Sequence, residues 1–145
     1  MISKWYKMNF DITNILTALI ARRYGWNVSK YILGNNEVTE MILTNNTKDF
    51  NLVNEYDYVV DLMKIVEVED PVEKERRIDA FKWNWLDEQT FFEPFDLDAV
   101  FAYLCKLEML HRWEMLDPEM GKQKFRTIIE NLRSEAQVPA EFVRK

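Results

Sequence analysis

Apolar residues recur at three- and four-residue intervals through Trp5, Met8, Ile12, Ile15, Leu16, Leu19 and Ile20, predicting one long helix from about residue 3 to Tyr24. Gly25 follows Arg22, Arg23 and Tyr24, a stop with cations in the last turn. A short helix is expected over Ser29–Leu33, broken at Gly34-Asn35-Asn36, and another over Glu37–Leu43, broken at Asn45-Asn46. Residues 47–54 read as a polar connection holding Phe50 and Leu52, and Tyr56, Val59, Val60, Met63 and Ile65 predict a helix over about 55–66. Asp70-Pro71-Val72-Glu73 is a helix start of cap, first-turn proline and capping-box acid. That helix should run to about Phe92 and stop near Pro94. Asp96 caps a helix over about 97–115 whose apolar face is Val100, Tyr103, Leu104, Leu107 and Leu110. Asp117-Pro118 repeats the cap-then-proline start for about 118–135, and Pro139 opens a short terminal turn or helix.

The pattern predicts an all-α chain, an irregular bundle of about six to eight helices. With 145 residues and no long linker it reads as a single helical domain. Only 3 Gly and 4 Pro argue against a many-stranded sandwich or barrel, and 48% apolar content argues against disorder. A long aromatic-faced helix beginning almost at Met1 suggests a piece of a longer chain.

Charge refines this picture. The net charge is −6, a poor starting point for nucleic-acid binding. Residues 1–30 carry +4 and residues 122–145 carry +3, so the middle segment holds −13. Two basic ends around an acidic middle can steer an assembly partner, but an unevenly composed solvated surface is the simpler explanation. The longest mostly apolar run, Ile15–Ala21, is far short of the ~20 residues that span a bilayer, so no direct membrane insertion is expected. Asp11 and Asn14 interrupt any signal-peptide core. Asn27-Val28-Ser29 and Asn45-Asn46-Thr47 match glycosylation sequons but signify no more than loop or cap chemistry without secretion.

Candidate chemistry is sparse. Glu108 and His111 have the Glu-x-x-His spacing of di-iron bundles, but the chain has 1 His, and such sites need a second pair. A surface hydrogen-bonded pair is the expectation. Cys105 and His111 lie roughly 120° apart around one helix, out of mutual reach, so a buried, inert Cys105 is expected. The pairs Asp57/Asp61, Asp87/Glu88 and Asp96/Asp98 fit no calcium loop, and no Gly-rich phosphate cradle occurs. No catalytic residue, metal site or cofactor is expected. An enzyme built on a carboxylate pair in a cleft is the weakest of the readings.

Residues 81–95, FKWNWLDEQTFFEPF, hold Phe81, Trp83, Trp85, Phe91, Phe92 and Phe95. On a helix Ile78, Phe81, Trp85 and Phe92 share one stripe, with Ala80, Trp83 and Phe91 nearly opposite. Such a helix is either buried on both sides or presents one to a partner, with Trp83 and Phe91 as interface candidates. Full burial of both Trp83 and Trp85 would remove the second option.

The stretch DITNILTALIARRYGWNVSKYILGNNEVTEMI, residues 11–42, resembles a repeat unit of the C/d family of central-stalk connectors in V/A-type ATPases. That unit has an acid, an Asn, then a basic residue about two turns later, a short helix and a Gly-containing loop. Asp11, Asn14, Arg22 or Arg23, and Gly34 take those places. Residues 97–113 resemble the family's last helical signature through Tyr103, Leu104, Glu108 and Arg112, departing at Leu110 and Trp113. The whole run, including NILTALIARRY and GKQKF, is closer to an uncharacterised bacterial family encoded beside V-type ATP synthase genes and standing in for that connector, of which this would be the C-terminal part.

The resemblance implies an all-helical central-stalk connector on the cytoplasmic face of the membrane. Its partners would be the rotor shaft and the membrane rotor ring, and it would do no bond chemistry itself. A generic helical interaction module with another partner is the competing reading. A torque-bearing connector needs polar ties between helices, and positions 11, 14, 18 and 22 share one face. Asp11, Asn14 and Arg22 either supply such ties or form a wet face.

Overall fold

The computed structural model describes residues 1–92 and 95–135; the expected stop at Pro94 and turn at Pro139 lie outside them. The described residues are helical, without a strand, in six α-helices and one 3₁₀ turn. They divide into two compact units, Met1–Leu104 and Cys105–Lys145.

In the first unit α1, Ile2–Arg23, is the central element. It ends where the sequence places the stop. Gly25 takes φ +69°, its N–H donates to Arg22 O, and the Trp26 N–H reaches back to Ala21 O. These two bonds satisfy two of the orphan carbonyls of the last turn. The expected second helix is only a 3₁₀ turn, Val28–Lys30, started by the Asn27 side chain, which accepts from the Ser29 N–H and hydroxyl; Leu33, expected within it, has its backbone N–H and carbonyl bonded to Asn14 instead. The first sequon is therefore cap chemistry. Helix α2, Glu37–Thr44, starts at Asn36, whose side chain accepts from the Thr39 N–H.

Helix α3 spans Val59–Glu67 and begins four residues later than the periodicity suggests. The reason lies upstream. Residues 47–58 fold as successive turns closed by Phe50 N–H to Thr47 O, Leu52 N–H to Asp49 O and Tyr56 N–H to Leu52 O. Phe50 and Leu52, placed by sequence in a polar connection, are both fully buried, so this loop plugs the core.

Helix α4, Pro71–Thr90, starts as expected, with both Asp70 carboxylate oxygens accepting from the Val72 and Glu73 N–H groups. The Glu73 carboxylate accepts from Arg77 Nε one turn on. α1 packs on α2, α3 and the 3₁₀ turn, and α3 packs on α4. The core they enclose contains Ile12, Ile15, Val38, Ile42, Leu62 and Ile65, with Trp5, Ile78, Phe81 and Trp85 against its edge. Trp5 and Trp85 meet at 6.0 Å between ring centres, and Tyr58 and Phe81 at 5.9 Å.

Helix α5, Leu97–Glu114, begins at Asp96, whose carboxylate accepts from the Leu97 N–H. It is apolar on two sides. The structure buries Ala102 and Cys105, while Val100, Tyr103, Leu104, Leu107 and Leu110, the face read from the sequence, are exposed. In the second unit, α6 covers Pro118–Glu135, with the Asp117 carboxylate accepting from the Glu119 N–H. Its stripe Phe125, Ile128, Ile129 and Leu132 is exposed.

Candidate functional site

The polar face of α1 is a set of ties. Asp11 is 5% exposed, and its Oδ1 accepts from Asn36 Nδ2 at 2.6 Å. Since Asn36 also caps α2, one side chain joins the start of α2 to the middle of α1. Burial pushes the Asp11 carboxyl above its ordinary range, against the pull of the Asn36 hydrogen bond and the Lys7 charge. Burial, with the Asp11 charge, also pushes the Tyr58 phenol up.

Asn14 pairs with the backbone of Leu33 in both directions: its Nδ2 donates to Leu33 O at 3.0 Å, and its Oδ1 accepts from the Leu33 N–H at 3.1 Å. This amide imitates a strand partner and satisfies a stretch of chain lying outside any helix. Next to it Gly34 takes φ +87°, and a Cβ there would come within 2.7 Å of the Phe10 ring. The positive φ favours glycine, and any Cβ would also push the exposed Phe10 ring aside.

Arg22 donates to Thr47 O and, at 3.4 Å, to Asn45 O, while its guanidinium carbon lies 3.7 Å above the Phe50 ring. Phe50 and Asn51 both take positive φ, +56° and +60°, rare for residues with a Cβ. Arg22 thus holds a strained turn from outside while the buried ring holds it from inside. Asp49 ties the same turn. Its carboxyl is desolvated, but bonds from the Asn51 N–H and from the Thr47 hydroxyl outweigh that and hold its pKa down. Arg23 Nη1 donates to Val66 O at 2.9 Å, joining the ends of α1 and α3.

The other candidates stand apart from these ties. Trp83 and Trp85 are both half-buried. Phe91 is exposed, and Phe92, placed by periodicity on the core stripe, is 89% exposed. Helix α4 ends at Thr90, so helical spacing no longer carries Phe92 inward. The two rings meet edge to face at 5.1 Å. Glu108 and Arg112 are exposed on α5, and the Arg112 guanidinium lies 5.5 Å from the Trp113 ring centre. His111 Nδ1 is 3.8 Å from a Glu114 oxygen, one turn from the Glu108 pairing expected for it. Cys105 is buried, and burial with the Glu108 charge pushes its thiol up, away from thiolate chemistry.

Sequence reasoning missed Asn36, Phe50 and Lys48. The first had a readable signal, an Asn three residues before Thr39 at a helix start. Phe50 and Leu52 signalled themselves as paired apolar residues in a polar stretch. Lys48 lines a cleft with Arg22 and Arg23 that no local pattern announces.

Among the described residues no group of three His, Cys, Asp or Glu side chains is placed to hold a metal ion. No helix among them is long and apolar enough to cross a membrane. These features define an all-helical protein with a polar-tied central helix and apolar side chains exposed on α5 and α6. The chain belongs to the family described as "Protein of unknown function (DUF2764)", whose model matches residues 1–136. No curated protein and no solved structure matches it.

Proposed function

We propose that this chain is a non-catalytic connector in the central stalk of a V/A-type rotary ATPase or ATP synthase. In this role it couples the rotor shaft to the membrane rotor ring and works on the cytoplasmic face of the membrane as part of the complex. The observation that carries its interaction role is the exposed face of α5. Val100, Tyr103 and Leu104 are exposed in the first unit, and Leu107 and Leu110 in the second. Several large apolar side chains left exposed along one helix favour a protein contact.

Two further features support the connector form of that role. Asp11, Asn14, Arg22 and Arg23 bind partners distant in sequence, giving α1 the cross-linking that a torque-bearing body needs. The resemblance of residues 11–42 and 97–113 to the C/d connectors supplies the particular complex.

The test is affinity capture of the tagged full-length protein from native membranes. Recovery of the shaft and rotor-ring proteins is the expected result. Recovery of neither would overturn the connector reading, and a different stoichiometric partner would establish the helical interaction module in its place.

A further inference from the structure

Positive charge gathers around one concavity of the first unit. A surface cleft of about 400 Å³ opens between the last turn of α1, the 45–50 loop and the last turn of α3. Leu19, Met63 and Val66 form its apolar wall. Arg22, Arg23 and Lys48 also line it, with Glu67 as the one acid among its lining residues, leaving a local charge of +2 in a chain of net −6.

We propose that this cleft binds the acidic end of a partner polypeptide, a carboxylate set beside an apolar side chain. The wall and the cations call for the two halves of that ligand separately. Met63 is half-buried and gains from being covered by an apolar group, against a floor of already buried Leu19 and Val66. The cations favour an anion, and arginine favours a carboxylate through its planar fork.

Charge fixes the valence. The carbonyl ends of α1 and α3 and the Glu67 carboxylate all lie at this place, and each repels an anion. A single carboxylate therefore suits it better than a doubly charged phosphate. The three cations are held differently. Arg22 is committed to the Thr47 and Asn45 carbonyls and to the Phe50 ring. Arg23 spends one N–H on Val66 O and keeps the rest of its fork. Lys48 is exposed on the loop. Arg23 and Lys48 are thus the recognition residues, and Arg22 sets the floor. The connector reading uses Arg22 and Arg23 only as internal ties and assigns this cleft no ligand, and the test of this inference is independent of any rotary complex.

The experiment is fluorescence anisotropy of the purified full chain with a fluorescein-labelled peptide ending in Gly-Gly-Leu with a free carboxylate, which sets one carboxylate beside one apolar side chain. Controls are the Gly-Gly-Leu amide and the Gly-Gly-Ser acid, with decanoate and inorganic phosphate as competitors. The acidic, apolar peptide is expected to bind, with each control weaker by about tenfold. Lys48→Gln and Arg23→Gln are each expected to weaken it by about three- to tenfold, with the far-UV circular dichroism unchanged, and added salt weakens it further.

Equal binding of the neutral peptide, indifference to Lys48→Gln and Arg23→Gln together, or no binding at about 1 mM peptide would overturn the proposal. Decanoate or phosphate binding more tightly than the peptide would overturn the polypeptide assignment, giving the site to a free carboxylate or to a phosphate.

Discussion

The Arg22 guanidinium lies over the Phe50 ring, 3.7 Å from its centre, and spans two carbonyls of the loop that carries the ring. One side chain of α1 therefore closes a turn in which two successive residues with a Cβ take left-handed backbone. Such a conformation costs about 1–2 kcal/mol per residue and persists only when its surroundings over-determine it.

Arg22→Gln removes the stacking and the charge assistance together. A stability loss of about 2 kcal/mol is expected in urea unfolding, with Arg22→Lys recovering less than half because an ammonium lacks the fork. A loss under about 0.5 kcal/mol, the range of an ordinary surface substitution, would show that the loop holds itself.

Asn14 answers both backbone groups of Leu33. Asn14→Ala leaves both without their protein partner, and about 2 kcal/mol of destabilisation is expected. Asn14→Asp keeps the acceptor, loses the donor and buries a charge, so it should be at least as damaging at pH 7. Parallel chemical denaturation of the two variants checks the order.

These ties mark where sequence reading reached its limit. Helix starts at Asp70-Pro71 and Asp117-Pro118 and the stop at Gly25 were legible because cap, proline and glycine chemistry acts within four residues. The face 11, 14, 18, 22 was legible as polar, but whether it was tied or wet was not. The partners Asn36, Leu33 and Thr47 lie 19 to 25 residues away, beyond any helical period. The interior of the 47–58 loop was misread because its two apolar residues are held by turns rather than a helix. Helix α5 was ambiguous for another reason. Apolar residues occupy two sides of it, and periodicity cannot say which side the fold uses.

The pH dependence of stability carries the signature of Asp11. Its folded pKa is raised, so its contribution is fully present below the unfolded value of 3.8 and lost as pH rises through the folded value. Near neutrality ionised Asp11 therefore works against the fold. Asp11→Asn retains an acceptor for Asn36 without the charge. The variant should be at least as stable as the parent at pH 7, its relative advantage shrinking as pH falls toward 4. Urea titrations of both proteins across that range check the sign, and an advantage growing toward acid would contradict it.

The connector reading is tested most directly by purifying the rotary ATPase through its catalytic head from cells expressing this chain, and quantifying the chain against the shaft protein by mass spectrometry. Equal amounts are the expected result. The double variant Leu104→Glu with Leu107→Glu, which places two charges on the exposed face of α5, should reduce recovery at least tenfold without loss of helical content. A fully assembled, active complex that contains none of this chain would contradict the account.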